Sequence, residues 1–197
     1  MGFEKVTKLE DKVASFFGAP YAIATDSCTH AVELCLRYED PYEVTFPTHT
    51  YPSIPFLGHK LGLRWTFKEE EWVDYYQIGD TNVYDAAVLW KMGGYIPSTH
   101  MCLSFQYQKH LKIGRGGMIL TDNKEAYEML SEMVYDGRNS RDIPWREQNI
   151  KTVGYHYYMT PEAAQTGLDK FPEAIQTEPK IWTDRDYPDL RTMDVFK

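Results

Sequence analysis

The chain has 197 residues, of which 43% are hydrophobic and 15% aromatic, a composition that predicts a folded globular domain rather than a disordered chain. Its formal net charge of −8 argues against a nucleic-acid partner, because phosphate backbones are bound by cationic surfaces. No apolar run approaches the roughly 20 residues of a membrane span, and the first residues lack the apolar core of a signal peptide, so we expect no membrane partner.

The cysteine content bears on the compartment. The three cysteines, Cys28, Cys35 and Cys102, cannot all pair with one another. Unpaired thiols are typical of a reducing environment, since disulfides persist in oxidising ones. We therefore expect a cytoplasmic protein.

Short helices and strands alternate along the first half of the chain. Apolar residues recur at helical spacing from Phe3 to Phe17, and the Asp, Ser and Thr side chains at 25–29 are typical of a helix N-cap. The expected elements are a helix over 3–17, a strand over 21–24, a helix over 30–37, a strand over 42–46, a short helix running towards Gly62, and strands over 63–67 and 82–87.

The second half continues the alternation. We expect strands over 101–105 and 118–121, a helix over 123–135, and a helix that begins at Thr160-Pro161 and ends near Phe171. This order predicts a single compact α/β domain over 1–197, a three-layer sandwich on a mostly parallel sheet. The tail, residues 178–197, has little periodicity and is expected to be an arm that packs on a partner subunit.

One lysine stands out between the strands at 101–105 and 118–121. Lys109 lies in the connection between them, where an amine is costly to bury unless it is paired, deprotonated or covalently used. The surrounding phrase is S-F-x-x-x-K-x-x-x-x-G-x-G-G, with Ser104 five residues before the lysine. The alternative is a surface lysine without a catalytic role, in a glycine-containing hairpin.

This phrase resembles the lysine segment of the DegT/StrS family of sugar aminotransferases. The resemblance implies that Lys109 forms the Schiff base with pyridoxal 5′-phosphate (PLP) and that Ser104 contacts the cofactor phosphate. It also implies the PLP-dependent transferase fold of type I. Compared with the family, this chain would lack almost all of the C-terminal domain and some strands and helices of the large domain. It would then be a truncated variant.

Four further segments carry the same resemblance, in the family's order. Cys28 and Thr29 match the loop that holds the phosphate, and Tyr51 matches the ring that stacks on the pyridine face. Asp85, in V-Y-D-A-A, matches the carboxylate that binds the pyridine nitrogen. His156 takes the place of an asparagine that reaches the phosphate of the neighbouring subunit, which implies a homodimer with a shared active site.

The function implied is transfer of an amino group from an amino acid, with glutamate as the expected donor, to a keto-sugar nucleotide. Lys109 and Asp85 are then the catalytic residues. An alternative is a PLP-binding protein without transaminase activity, or with another PLP chemistry such as dehydration. The related sugar dehydratases have a histidine in place of the lysine; here His110 follows an intact Lys109, which favours transamination.

Two other kinds of site could use some of these residues. A small metal-binding module could use Cys28, His30, His100 and Cys102 as soft ligands, but the one-residue spacers are shorter than those of common zinc sites. A Rossmann-type nucleotide site is rejected, because the glycines at 114, 116 and 117 lack the G-x-G-x-x-G spacing and precede a strand rather than a helix. We therefore expect no bound metal.

Overall fold

A computed structural model describes residues 2–197, and its regular elements follow the predicted alternation. The helices are α1 (Glu4–Phe17), α2 (Cys28–Glu39), α3 (Pro55–Leu61), α4 (Lys124–Val134) and α5 (Pro161–Ala174). The strands are β1 (Tyr21–Thr25), β2 (Glu43–Pro47), β3 (Arg64–Lys68), β4 (Tyr76–Gln77), β5 (Val83–Asp85), β6 (His100–Ser104) and β7 (Gly117–Thr121). Within the described residues, none of the helices has the length and apolar character to cross a lipid bilayer.

Side-chain caps fix where three of the helices begin. Ser27 accepts a hydrogen bond from the backbone N–H of His30, Asn123 from that of Ala126, and Thr160 from that of Ala163. Each cap satisfies one N–H that the first turn of a helix leaves without an intrahelical partner. Because Ser27 is the cap, α2 begins at Cys28, two residues before the predicted start.

The main sheet has the strand order β1-β7-β6-β5-β4 and is mixed. The prediction of a mostly parallel sheet was wrong in this respect, because only β5 and β6 pair in parallel, and the other three pairings are antiparallel. β2 and β3 pair in parallel in a separate two-stranded sheet. The continuous apolar runs of β6 and β7 predict strands that are buried on both faces, which is typical of parallel sheets. Such a run does not determine whether the strand pairs in parallel or antiparallel with its neighbour. β7 returns alongside β6 and lies between it and β1.

Helices cover both faces of the main sheet, as the three-layer prediction requires. α1 and α5 pack together over one face, which buries Ala22, Ala24 and Met101. α2 and α4 cover the other face, which buries Ile23 and Cys102. Successive residues of the central strands therefore enter opposite cores, as the two-residue period of a strand dictates.

The C-terminal tail packs on its own chain. Leu190 is fully buried and donates its backbone N–H to the carbonyl oxygen of Thr48 at 2.9 Å. Asp74 donates its backbone N–H to the carbonyl oxygen of Trp182 at 2.8 Å. The contact of this tail with a partner subunit stays a prediction.

Gly117, the first residue of β7, lies directly against the start of α2. A Cβ at this position would stand 2.5 Å from the amide nitrogen of Cys28 and 2.5 Å from the carbonyl carbon of Ser27. Real Cβ atoms do not approach backbone atoms so closely, so only glycine lets the strand and the helix start meet here. At the preceding residue, Gly116, a Cβ would lie 3.0 Å from the flexible end of Met159 and at an ordinary contact distance of 3.6 Å from the Phe105 side chain.

We expect Gly117→Ala to destabilise the fold by about 1–3 kcal/mol or more, because the added methyl group forces the helix start away from the strand. Gly116→Ala is the matched control and should cost less, since the Met159 side chain can move. Urea denaturation of both variants checks the prediction. Equal losses in the two variants would contradict it.

Candidate active site

A cavity of about 400 Å³ opens where β5 and β6 end and α2 begins. Six of the predicted site residues line it: Cys28, Thr29, Tyr51, Asp85, Ser104 and Lys109. These residues are spread over 82 positions of the sequence, from 28 to 109. The fold therefore brings together a carboxylate, an amine, hydroxyls and a helix N-terminus in one concave site.

Asp85 ends β5 with its carboxylate buried at the cavity wall, the residue being 5% exposed. Its Oδ2 accepts a hydrogen bond from the Tyr76 hydroxyl at 2.5 Å, and its Oδ1 accepts one from the Ala87 backbone N–H at 2.9 Å. Burial raises the pKa of the carboxyl group, while these donors and the charge of Lys109 act in the opposite direction. The site thus contains an acidic group whose burial would be best compensated by a nearby cation.

Lys109 follows β6 in a turn that its backbone N–H closes by donating to the carbonyl oxygen of Gln106 at 2.8 Å. Its side chain is half-buried, and Nζ lies 5.4 Å from the centroid of the Trp182 ring. Burial lowers the pKa of the amine, and the charge of Asp85 offsets part of that effect. A lowered pKa increases the share of neutral amine, which is the nucleophilic form.

The start of α2 forms the polar end of the cavity. Thr29 Oγ1 lies 2.7 Å from Ser53 Oγ, and both side chains line the cavity together with Ser27. The first N–H groups of a helix have no intrahelical acceptor and favour an anion, so the hydroxyls and this helix start suit a phosphate. Ser104 faces the same cavity, and its Oγ accepts a hydrogen bond from the Gln106 N–H at 3.4 Å.

Cys28 is buried next to the acid. Its thiol lies 3.8 Å from Asp85 Oδ1 and 3.3 Å from the carbonyl oxygen of Cys102. Burial raises the pKa of the Cys28 thiol well above its usual range, and the Asp85 charge raises it further. The side chain is therefore a neutral thiol and a weak donor, not a nucleophile.

Tyr51 lies at the mouth of the cavity and is 60% exposed. Among the described residues, no aromatic ring packs against the ring of Tyr51. The position leaves its face available to a planar ligand. Stacking on a pyridine ring stays a prediction.

His156 lies away from the cavity. It is exposed, it forms an isolated bridge with Tyr135, and its Nδ1 lies 3.1 Å from Asp136 Oδ1. The structure thus does not bring it together with the other predicted residues. A role at the site of a second subunit stays a prediction.

The sequence analysis does not identify several of the residues that line the cavity. Aromatic side chains form much of the wall: Trp72, Tyr76, Trp182 and Tyr187. Tyr76 is in the two-residue strand β4, and its hydroxyl also hydrogen bonds with Thr50. Trp182 and Tyr187 belong to the tail. Neither segment has a periodic pattern, so only the density of aromatic residues near 72–76 and 182–187 could have drawn attention to them.

The four candidate metal ligands, Cys28, His30, His100 and Cys102, do not converge on one site. Among residues 2–197, no group of three or more His, Cys, Asp or Glu side chains is placed to hold a metal ion. His30 pairs with Asp26 at 2.6 Å, and His100 lies 3.1 Å from Thr121 Oγ1. The geometry gives the metal-module alternative no support.

The sequence model of the DegT/DnrJ/EryC1/StrS aminotransferase family matches residues 1–62 and 91–183. Both matched ranges contain site residues, including Thr29 in the first and Lys109 in the second. Asp85 lies in the unmatched interval, so its equivalence depends on its position at the end of β5. A curated relative, the uncharacterized protein MJ1066 of Methanocaldococcus jannaschii, is 23% identical over 86% of this chain and 57% of its own length.

Solved structures share the fold. AtS13 from Actinomadura melliaura aligns with a TM-score of 0.77 at 19% identity, covering 87% of this chain and 60% of that chain. The sugar aminotransferase CalS13 from Micromonospora echinospora aligns with a TM-score of 0.67 at 15% identity over 87% and 61% of the two chains. The GDP-4-keto-6-deoxymannose-3-dehydratase ColD aligns with a TM-score of 0.66 at 18% identity over 88% and 61%.

These similarities confirm the predicted fold, the α/β architecture of PLP-dependent enzymes of type I. The chain spans about 60% of the length of the structures it matches. The residues present fit the implied cofactor on their own geometry. The buried carboxylate of Asp85 suits a protonated ring nitrogen, and the start of α2 suits a phosphate.

We expect Asp85→Asn to stabilise the cofactor-free protein at pH 7 by about 1–3 kcal/mol, because a buried charge is replaced by a neutral group of the same shape. The folded-state pKa of Asp85 is raised, so the wild type loses stability as pH rises through that pKa. The gain in the variant should therefore shrink as pH falls towards the ordinary carboxyl pKa.

Urea denaturation at several pH values measures this gain. The exposed Asp80 supplies the matched control, Asp80→Asn, whose stability should follow that of the wild type. A variant at position 85 that is less stable than the wild type at pH 7 would show that the carboxylate is well compensated in the cofactor-free protein.

Proposed function

Because the chain belongs to the DegT/DnrJ/EryC1/StrS aminotransferase family, we propose that it is a PLP-dependent aminotransferase acting on a keto-sugar nucleotide, with glutamate as the amino donor. Family membership implies PLP as the cofactor. The observation that carries the proposal is the shared cavity of Lys109, Asp85 and the start of α2. An amine, an acid and an anion site together are what this cofactor requires.

Each end of the cavity would hold one part of PLP. Asp85 would bind the ring nitrogen, and Thr29, Ser104 and the first N–H groups of α2 would bind the phosphate. Tyr51 would cover one face of the ring by an offset stacking contact. When bound, PLP supplies an electron sink that stabilises negative charge on the carbon bearing the amino group.

Lys109 is proposed to anchor the cofactor and to move the proton. Its lowered pKa favours the neutral amine, which can attack an aldehyde carbon. Once released by the incoming amino group, the same amine can take the proton from the donor's carbon and return one to the acceptor.

Asp85 is proposed to keep the ring nitrogen protonated. In a buried site the attraction between a carboxylate and a protonated nitrogen is stronger than in water. The hydrogen bonds from Tyr76 and Ala87 hold the carboxylate oxygens in place without neutralising them. Formation of that ion pair would remove the cost of burying an uncompensated charge.

Support for the sugar substrate comes from the family and from relatives. CalS13 is described as a sugar aminotransferase, and ColD as a dehydratase of a GDP-linked keto-sugar. The alternative with another PLP chemistry, such as dehydration, shares this substrate class. The intact Lys109 favours transamination over that alternative.

A homodimer is proposed as the active form. His156 is exposed and lies outside its own cavity, paired with Asp136, at a position that a second copy could contact. The cavity is open at Tyr51, so a neighbouring subunit would complete its wall. We propose a cytoplasmic location for this enzyme.

Addition of PLP to the wild type should give a visible absorbance band, which Lys109→Ala should abolish because the covalent link needs this amine. Lys124→Ala, on the exposed face of α4, is the matched control and should keep the band. Borohydride reduction followed by peptide mapping should place the label on residue 109. A label on another lysine would overturn the assignment.

Transamination itself is tested by adding glutamate to the PLP-loaded protein. We expect the aldehyde form of the cofactor to convert to its amine form, with release of one 2-oxo acid per site. Lys109→Ala should show no conversion. A wild type that binds PLP but shows no conversion would favour the alternative without transaminase activity.

A further inference from the structure

A second cavity of about 250 Å³ adjoins the first. The two cavities share four lining residues: Val88, Gln108, Lys109 and Trp182. The second is completed by His110, Lys112 and Lys180. A ligand with its reacting end at Lys109 could therefore extend from one cavity into the other.

The lining of the second cavity is basic. It contains three lysines and a histidine but no carboxylate among the residues that the structure describes. Lys180 pairs with Asp186 at 2.6 Å, whereas Lys109 and Lys112 form no ion pair within residues 2–197. The ammonium groups of Lys112 and Lys180 line the same cavity and repel each other, and a bound anion would relieve that repulsion. The cluster is notable in a chain whose net charge is −8.

Trp182 holds two of these lysines at the boundary between the cavities. Its ring centroid lies 3.7 Å from Lys180 Nζ and 5.4 Å from Lys109 Nζ, so the ring is in cation–π contact with both. Two hydrogen bonds from Asp74 hold the backbone of Trp182 in place. Asp74 Oδ1 accepts from the Trp182 backbone N–H at 2.9 Å, and the Asp74 backbone N–H donates to the Trp182 carbonyl oxygen at 2.8 Å.

His110 is oriented by the end of α5. Its Nε2 lies 2.9 Å from the carbonyl oxygen of Ala174, which can only accept, so this nitrogen carries a hydrogen. Nε2 also lies 3.1 Å from Thr177 Oγ1. The imidazole is therefore held in place on one side of the cavity, and the lysines supply the charge.

We propose that this second cavity binds an oxyanion, a phosphate or a carboxylate, carried by the substrate whose reacting end lies at Lys109. Lys112 and Lys180 are the residues that recognise it, as compact cationic donors. The identity of the anion's carrier rests on the proposed function, but the anion site itself does not. Lys112 is exposed, so its ammonium group is accessible to a ligand. Lys180 belongs to the C-terminal tail, so the tail would contribute to substrate selection.

Calorimetric titration with inorganic pyrophosphate and with glutarate tests the site. The protein is used both cofactor-free and after borohydride reduction with PLP. In the PLP-loaded form we expect saturable binding of one anion per chain, and at least about tenfold weaker binding in Lys112→Met/Lys180→Met. In the cofactor-free form the start of α2 is a further anion site, so there the double variant should lose only the component that depends on Lys112 and Lys180. Tighter binding of pyrophosphate would identify a phosphate group as the natural ligand, and tighter binding of glutarate a carboxylate.

Two controls keep the result interpretable. Lys124→Met removes an exposed lysine outside both cavities and should leave binding unchanged. Lys112→Met alone leaves the Lys180–Asp186 pair intact and should still weaken binding. The proposal is overturned if neither anion binds the wild type, if the double variant binds as the wild type does, or if PLP loading abolishes binding, since the anion would then occupy the cofactor's phosphate site. Failure of PLP loading would count against the proposed function only, because the comparison of the wild type with the double variant can still be made on the cofactor-free protein.

Discussion

The rest of the site depends on one buried acid. Asp85 is held at the end of β5 by hydrogen bonds from Tyr76 and Ala87, with no direct ion pair to a basic side chain within residues 2–197. A buried carboxylate without a cation costs free energy, and folded proteins keep such groups where a function requires them. The cofactor-free cavity is therefore under electrostatic strain that a protonated ring nitrogen would relieve.

Several elements of the fold place side chains around that acid. Gly117 lets β7 pack directly against the start of α2, so the helix N-terminus faces the same cavity as Asp85. The connection between β6 and β7 places Lys109 in the lining of the same cavity. The tail then closes one side with Trp182 and Tyr187. In this chain, which spans about 60% of the length of its structural neighbours, residues of the tail thus supply wall that encloses the reacting groups.

Much of the fold and part of the site could be predicted from the sequence, for reasons that differ between elements. The caps at Ser27, Asn123 and Thr160 and the periodic apolar residues located the helices, because both are local signals. The motif also indicated Lys109, which the structure places in the cavity; its role stays a prediction. The direction of β7 and the pairing of Tyr76 with Asp85 could not be predicted, because they depend on which distant segments meet. Trp182 lies in a segment without periodicity, so nothing local indicated that it faces Lys109.

A crystal structure of the protein soaked with PLP tests the central claim most directly. We expect electron density continuous with Nζ of Lys109, a ring nitrogen within hydrogen-bonding distance of Asp85, and a phosphate at the start of α2. Density for the cofactor elsewhere, or a ring bound in this cavity with its nitrogen turned away from Asp85, would contradict it.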